Sequence, residues 1–165
     1  MRTHQEAVFR FAYLLLGDPD DAEDVAQESF LRAWKYLKRF DAARPLKPWL
    51  LSITANLASN RRRSAGRYVA ALMRAIRDEP TTIRIEEKSV ANSEAAELRM
   101  AVQKLSVDDQ QIIYLRYFLD LSVSETAQVM RVAEGTVKSK SSRALEKLRT
   151  VIRQDFPLLG EGREV

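Results

Sequence analysis

At 165 residues, with 45% hydrophobic and 30% charged residues, the chain suffices for one or two small domains, each with its own core. It has no cysteine, which excludes a disulfide framework and a thiolate metal site, and no apolar run of membrane-spanning length. The net charge of +4 is modest but unevenly placed: Asp18 to Glu28 holds six acids and no base, Arg61 to Arg77 six arginines and no acid, and Arg131 to Arg153 seven bases against two acids.

Helical periodicity runs through almost every segment, and no alternating strand pattern competes with it, so the expected fold class is all-α. A first helix over residues 3–16 turns Val8, Phe9, Phe11, Ala12, Leu15 and Leu16 mostly inward. Gly17-Asp18-Pro19 is a stop-and-restart signal, in which Gly ends one helix, Asp caps the next and Pro fits its first turn. The second helix, about 19–39, has an apolar side of Ala22, Val25, Ala26, Phe30, Ala33, Trp34 and Leu37, with Phe30 and Trp34 assigned to the core. Asp18 and Asp20 suit the positive end of its dipole. Residues 40–47 read as an irregular loop. A third helix restarts at Pro48, with Trp49, Leu50, Ile53 and Leu57 feeding the core and Tyr68 a further candidate for it.

This N-terminal domain of three or four helices is expected to span residues 1–77. The acidic stretch 78–92, with Pro80 and a Thr pair, reads as a flexible linker. Residues 93–165 form a second domain, in which helices resume near Ser93, break before the capping signature Ser106–Asp109, and continue through Tyr117. Residues 121–148 then read as two helices joined by a tight turn at Arg131–Ala133. Ser122 and Glu125 have the spacing of a capping box. Val137, Ala144, Leu145 and Leu148 mark the buried stripe of the second helix, whose outer face carries Thr136, Lys138, Ser139, Ser142, Arg143 and Lys147. A helix-turn-helix places such a face in the DNA major groove. Ala133 cannot cap by side chain, and Ser141 sits where an apolar residue would extend the stripe. Phe156 to Gly160 ends the last helix and leaves a frayed tail.

Two separate basic patches imply a polyanion contacted at two places. Three motifs then carry a resemblance: Asp21-Ala-Glu-Asp-Val-Ala-Gln-Glu-Ser-Phe-Leu-Arg-Ala-Trp34; Trp49-Leu-Leu-Ser-Ile-Thr-Ala-Asn56-Leu-Ala-Ser-Asn60 with its arginine run; and Glu134-Gly-Thr-Val-Lys-Ser-Lys140 with Arg143-Ala-Leu-Glu-Lys-Leu148. In this order the chain resembles the extracytoplasmic-function (ECF) sigma factors of the sigma-70 family. The short length is that of a member with only the two main domains.

The resemblance implies that Asp24, Gln27, Glu28 and Leu31 grip a basic coiled coil of the β′ subunit of core RNA polymerase, which also presents its β subunit. It implies that Asn56, Asn60, Arg61, Arg62 and Arg63 hold the melted −10 strand, with the 40–47 loop closing over an extruded base. Arg44-Pro-Leu-Lys-Pro48 is more proline-rich and cationic there than the family's usual loop. Gly135, Thr136, Lys138, Ser139, Ser142 and Arg143 are the implied −35 readers. An anti-sigma partner and a cytoplasmic location follow, with no membrane insertion, cofactor or metal. A catalyst is disfavoured: the chain has one histidine, His4, and no nucleophile or phosphate-loop signature. A stand-alone helix-turn-helix regulator is the alternative, and it leaves the first two motifs unexplained.

Overall fold

Gly17 and Asp18 separate the first two helices by the means their chemistry offers. The computed structural model describes residues 2–75, 94–157 and 159, and every element among them is helical. The linker at 78–92 and the tail beyond Gly160 lie outside the described residues. Helix α1 (Arg2–Leu16) closes on Gly17, whose φ of 77° is left-handed and without steric cost for glycine. Asp18 Oδ1 accepts the Asp21 N–H at 2.9 Å, and α2 (Pro19–Tyr36) starts on Pro19. A single 3₁₀ turn, Leu37–Arg39, leads into the loop before α3 (Leu46–Ala75).

The three helices bury Val8, Phe11, Ala12, Leu15, Val25, Leu50, Leu51 and Leu57. Two buried hydroxyls cross that seam fully satisfied. Ser29 donates to the Val25 carbonyl at 2.7 Å, and Thr54 Oγ1 lies 3.1 Å from Ser29 Oγ and 3.0 Å from the Leu50 carbonyl. The third helix differs from expectation at its start. It starts two residues before Pro48, which its first turn tolerates, and it runs 30 residues.

Three aromatic residues expected in this core are outside it: Trp34 is 74% exposed, Tyr68 71% and Phe9 38%. The reason for Trp34 is its register. Ala22, Ala26, Ser29 and Ala33 form a seam of small buried residues along α2, and close packing on that seam leaves the next position round the helix in solvent.

In the second half, α4 (Glu94–Gln103), α5 (Val107–Ile113), a π-helical turn (Tyr114–Phe118), α6 (Val123–Met130) and α7 (Glu134–Asp155) surround Val102, Ile112, Ile113, Leu115, Leu121, Val137, Ala144 and Leu148. Both predicted caps form. Ser106 Oγ accepts the Asp109 N–H at 3.2 Å, and Ser122 and Glu125 exchange bonds of 3.1 and 2.8 Å. Arg131 takes the left-handed conformation in the turn, φ 56°, and Ala133 starts α7 without a side-chain cap.

Asp109 ties α5 to α7, accepting from Lys147 Nζ at 2.6 Å and from Ser106 Oγ at 2.7 Å. Burial works most strongly against its charge, but these two bonds together with the nearby charges of Lys147 and Lys140 outweigh it and hold the carboxyl below its ordinary value. Ser141 is 8% exposed on the packed side of α7, and its hydroxyl has no partner among the described residues.

The two halves touch. Arg99 donates to the Tyr13 hydroxyl at 2.6 Å with its guanidinium 5.3 Å from the ring, and Arg62 donates to Gln110 Oε1 at 3.1 Å. Beside them Tyr114 is fully buried, and burial pushes its hydroxyl up to about 12 against the pull of Arg62 and Arg99.

Candidate functional site

Because small residues take the inner seam of α2, its long and charged residues stand outside. Asp24, Gln27, Glu28 and Leu31 are all exposed on this outer side, Leu31 at 71%. Gln27 donates to Glu23 at 3.4 Å, and Glu28 pairs with Arg32 at 2.7 Å. Such exposed pairs contribute little to stability. Trp34 follows Leu31 by three residues and continues the same surface beyond the four residues expected there. It also borders an apolar recess of about 100 Å³ with Phe30, Leu37 and Leu46. The signal for Trp34 was present in the run of small residues at Ala22, Ala26, Ser29 and Ala33, which marks the packed side.

On α3 the five expected residues do not share one environment. Asn56, Asn60 and Arg63 are exposed along one side. Arg61 turns instead toward α2, where it meets Asp21 at 2.5 Å and Asp24 at 3.1 Å. The Asp21 bond, more than any other contact, raises its pKa and keeps it paired. Arg62 is the residue that reaches Gln110 of the second half.

Ahead of Asn56 lies a cavity of about 660 Å³, lined by the loop residues Arg39, Phe40, Asp41, Arg44 and Pro45, by Trp49 and Ser52, and by Gln128 and Arg131 of the helix-turn-helix. Trp49 is half-buried, with its ring 4.6 Å from Phe40. It packs on the core and walls the cavity at once. Three guanidinium groups against the one carboxylate of Asp41 make this a cation-rich aromatic cleft, suited to a base and its phosphate.

On α7 the packed stripe leaves Gly135, Lys138, Ser139, Ser142 and Arg143 exposed and Thr136 half-buried. The α7 cations divide by face. Lys140 and Lys147 bond back to Asp108 and Asp109, at 2.9 and 2.6 Å, whereas Lys138 and Arg143 make no ion pair among the described residues. Lys138, Ser139, Ser142 and Arg143 thus form a donor surface near the start of a helix held firmly from behind.

Sequence models of Sigma-70 region 2 and Sigma-70 region 4 match residues 1–68 and 95–148. The chain is 32% identical to the ECF RNA polymerase sigma factor SigL of Mycobacterium tuberculosis, over 92% of this chain and 85% of that protein. It is 29% identical to SigW of Bacillus subtilis, over 91% and 85%. Its fold is similar to that of the sigma factor RpoE from Bartonella quintana, solved in complex with the anti-sigma factor NepR, with a TM-score of 0.69 and 26% identity over 93% of this chain and 94% of that one. An all-helical fold, two matched regions in this order and relatives aligned along nearly the whole length agree: the chain belongs to the ECF RNA polymerase sigma factors of the sigma-70 family.

Proposed function

We propose that this sigma factor divides its work between a polymerase-binding and −10-capturing unit, residues 1–77, and a −35-reading unit, residues 93–165, tethered by 78–92. The outer side of α2 docks on the β′ coiled coil of core polymerase. Asp24, Gln27 and Glu28 set orientation and encounter rate, and Leu31 with Trp34 supplies the apolar anchor. Asn56 and Asn60 offer both donors and acceptors to base edges of the melted −10 strand, and the Phe40–Trp49 cleft takes an extruded base. Arg63 meets phosphate directly, while Arg61 and Arg62 join once their present partners release them. In α7, Gly135 and Thr136 bring backbone N–H groups to a phosphate, and Lys138, Ser139, Ser142 and Arg143 read the −35 duplex.

The protein binds and positions; it performs no chemistry of its own. It acts in the cytoplasm, and an anti-sigma factor, as is bound to the Bartonella relative, holds it inactive by covering one or both of these surfaces. Gln128 and Arg131 of the second unit line the same cleft, so the position of that unit bears on how a strand enters.

The observation that carries this reading is the division of charge on one chain: an acid-and-leucine face on α2, and two separate cationic faces on α3 and α7. Run-off transcription with purified core polymerase tests it. Initiation from a promoter bearing both elements, lost with Asn56→Ala plus Asn60→Ala, is the expected result. Duplex binding without initiation returns the stand-alone regulator.

A further inference from the structure

We propose that the cleft between the two halves is a nucleotide site of the polymerase-free protein, taking a nucleoside diphosphate with its base on Phe40 and Trp49 and its phosphates on Arg39, Arg44 and Arg131. It rests on the reading of Phe40 and Trp49 as a base site, and adds to it a second ligand and a second conformational state.

The cleft is composite. Its aromatic wall and two of its guanidinium groups come from the segment joining α2 to α3 and from α3 itself, whereas Gln128 and Arg131 come from α6 and the turn after it. Lys47 donates to the Leu119 carbonyl at 3.4 Å, and with the Arg62–Gln110 and Arg99–Tyr13 bonds it holds the halves in this arrangement. The −35 readers of α7 then lie within about 25 Å of Arg131, from the rise per residue. The −10 and −35 elements are about 25 base pairs apart, roughly 85 Å of duplex. An arrangement in which Arg131 lines the cleft cannot span both, so the complete cleft belongs to the protein before it joins polymerase on a promoter.

The volume of about 660 Å³ is that of a small-ligand site. Three guanidinium charges against the one carboxylate of Asp41 leave an excess of two, which matches a diphosphate. The Arg44–Asp41 pair is loose, at 3.7 Å and largely in solvent, and Arg131 meets no acid among the described residues. Gln128 offers both a donor and an acceptor to a base edge. The rings of Phe40 and Trp49, 4.6 Å apart, form a wall that tolerates any base.

Arg131 carries an independent mark. Its φ of 56° at the end of α6 is left-handed, a position glycine occupies without steric cost. Strained backbone thus stands beneath a cleft-lining guanidinium, as strain does at ligand contacts.

Isothermal titration calorimetry of the full chain without polymerase tests the site, with GDP, inorganic pyrophosphate and guanosine as probes. GDP should bind, and the other two at least about tenfold more weakly, since each forfeits half of the site. Arg131→Gly suits the left-handed turn, so a failure to fold does not confuse its reading. It should weaken GDP binding by about tenfold or more, the scale of one hydrogen bond to a charged group. GDP should also lower the affinity of the wild-type chain for core polymerase, but not that of the variant, because a ligand of one arrangement opposes whatever requires the other. Holoenzyme carrying Arg131→Gly should hold the single-stranded −10 element within about twofold of wild type. Absent GDP binding, equal binding of pyrophosphate, unchanged GDP affinity in the variant, polymerase affinity indifferent to GDP, or loss of the −10 strand by the variant alone each overturns the nucleotide site and leaves the −10 reading standing. Wild-type holoenzyme that fails to hold the −10 strand overturns both.

Discussion

Replacing Ser141 with Ala should make this protein more stable. Ser141 sits between Val137 and Ala144 on the packed side of α7, 8% exposed, with a hydroxyl that finds no acceptor or donor among the described residues. Burying an unpaired hydroxyl costs about 1–3 kcal/mol. Alanine is also the better helix former, by about 0.5 kcal/mol. Against these stands the loss of one oxygen's packing contacts, a few tenths of a kcal/mol at about 0.1–0.2 per contact pair. Taking the lower part of that hydroxyl cost, the net gain is about 1.5 kcal/mol. With a urea slope of about 1.5 kcal/mol/M, that moves the unfolding midpoint up by about 1 M, read by far-ultraviolet circular dichroism. Affinity for a −35 duplex should not change, because the substituted side faces away from Lys138 and Arg143. A lower midpoint would refute the reasoning, since it would mean that the hydroxyl is bonded in solution and contributes to the fold.

Asp109→Asn removes the charge that receives Lys147 and should cost about 2 kcal/mol in the same urea experiment, the scale of a hydrogen bond to a charged group. The acid limb of the stability profile checks the same residue. Because the folded carboxyl titrates below its ordinary value of 3.8, its stabilisation is complete above that value and disappears as pH falls through the lower folded one. The asparagine variant should lose that component of the acid transition. Trp34→Ala should weaken binding to core polymerase by at least about tenfold, as expected for an aromatic anchor, and shift stability by less than about 0.5 kcal/mol. A large stability loss with unchanged affinity would return Trp34 to the core. Ser122→Ala deletes one arm of the capping box and should cost about 1 kcal/mol by denaturation.

Much of the architecture was legible in residue order because it rests on local chemistry. Gly17, Asp18 and Pro19 act within four residues of one another, and so do Ser106 with Asp109 and Ser122 with Glu125, so neighbours in sequence suffice to place those helix ends. The exposed donor face of α7 was legible for the same reason, since a 3.6-residue period separates buried Val137, Ala144 and Leu148 from exposed Lys138, Ser142 and Arg143.

Tertiary packing decided what periodicity leaves open. Trp34 and Ala33 both belong to the apolar arc of α2; the run of small residues hints at the packed side, and close approach of the neighbouring helices on it put Ala33 inside and Trp34 outside. Arg61, Arg62 and Arg63 are consecutive cations with identical local preferences, yet helix geometry sends one to Asp21, one to Gln110 and one to solvent. Their separate fates depend on residues 40 and 48 positions away in the chain, and no local pattern contains that information.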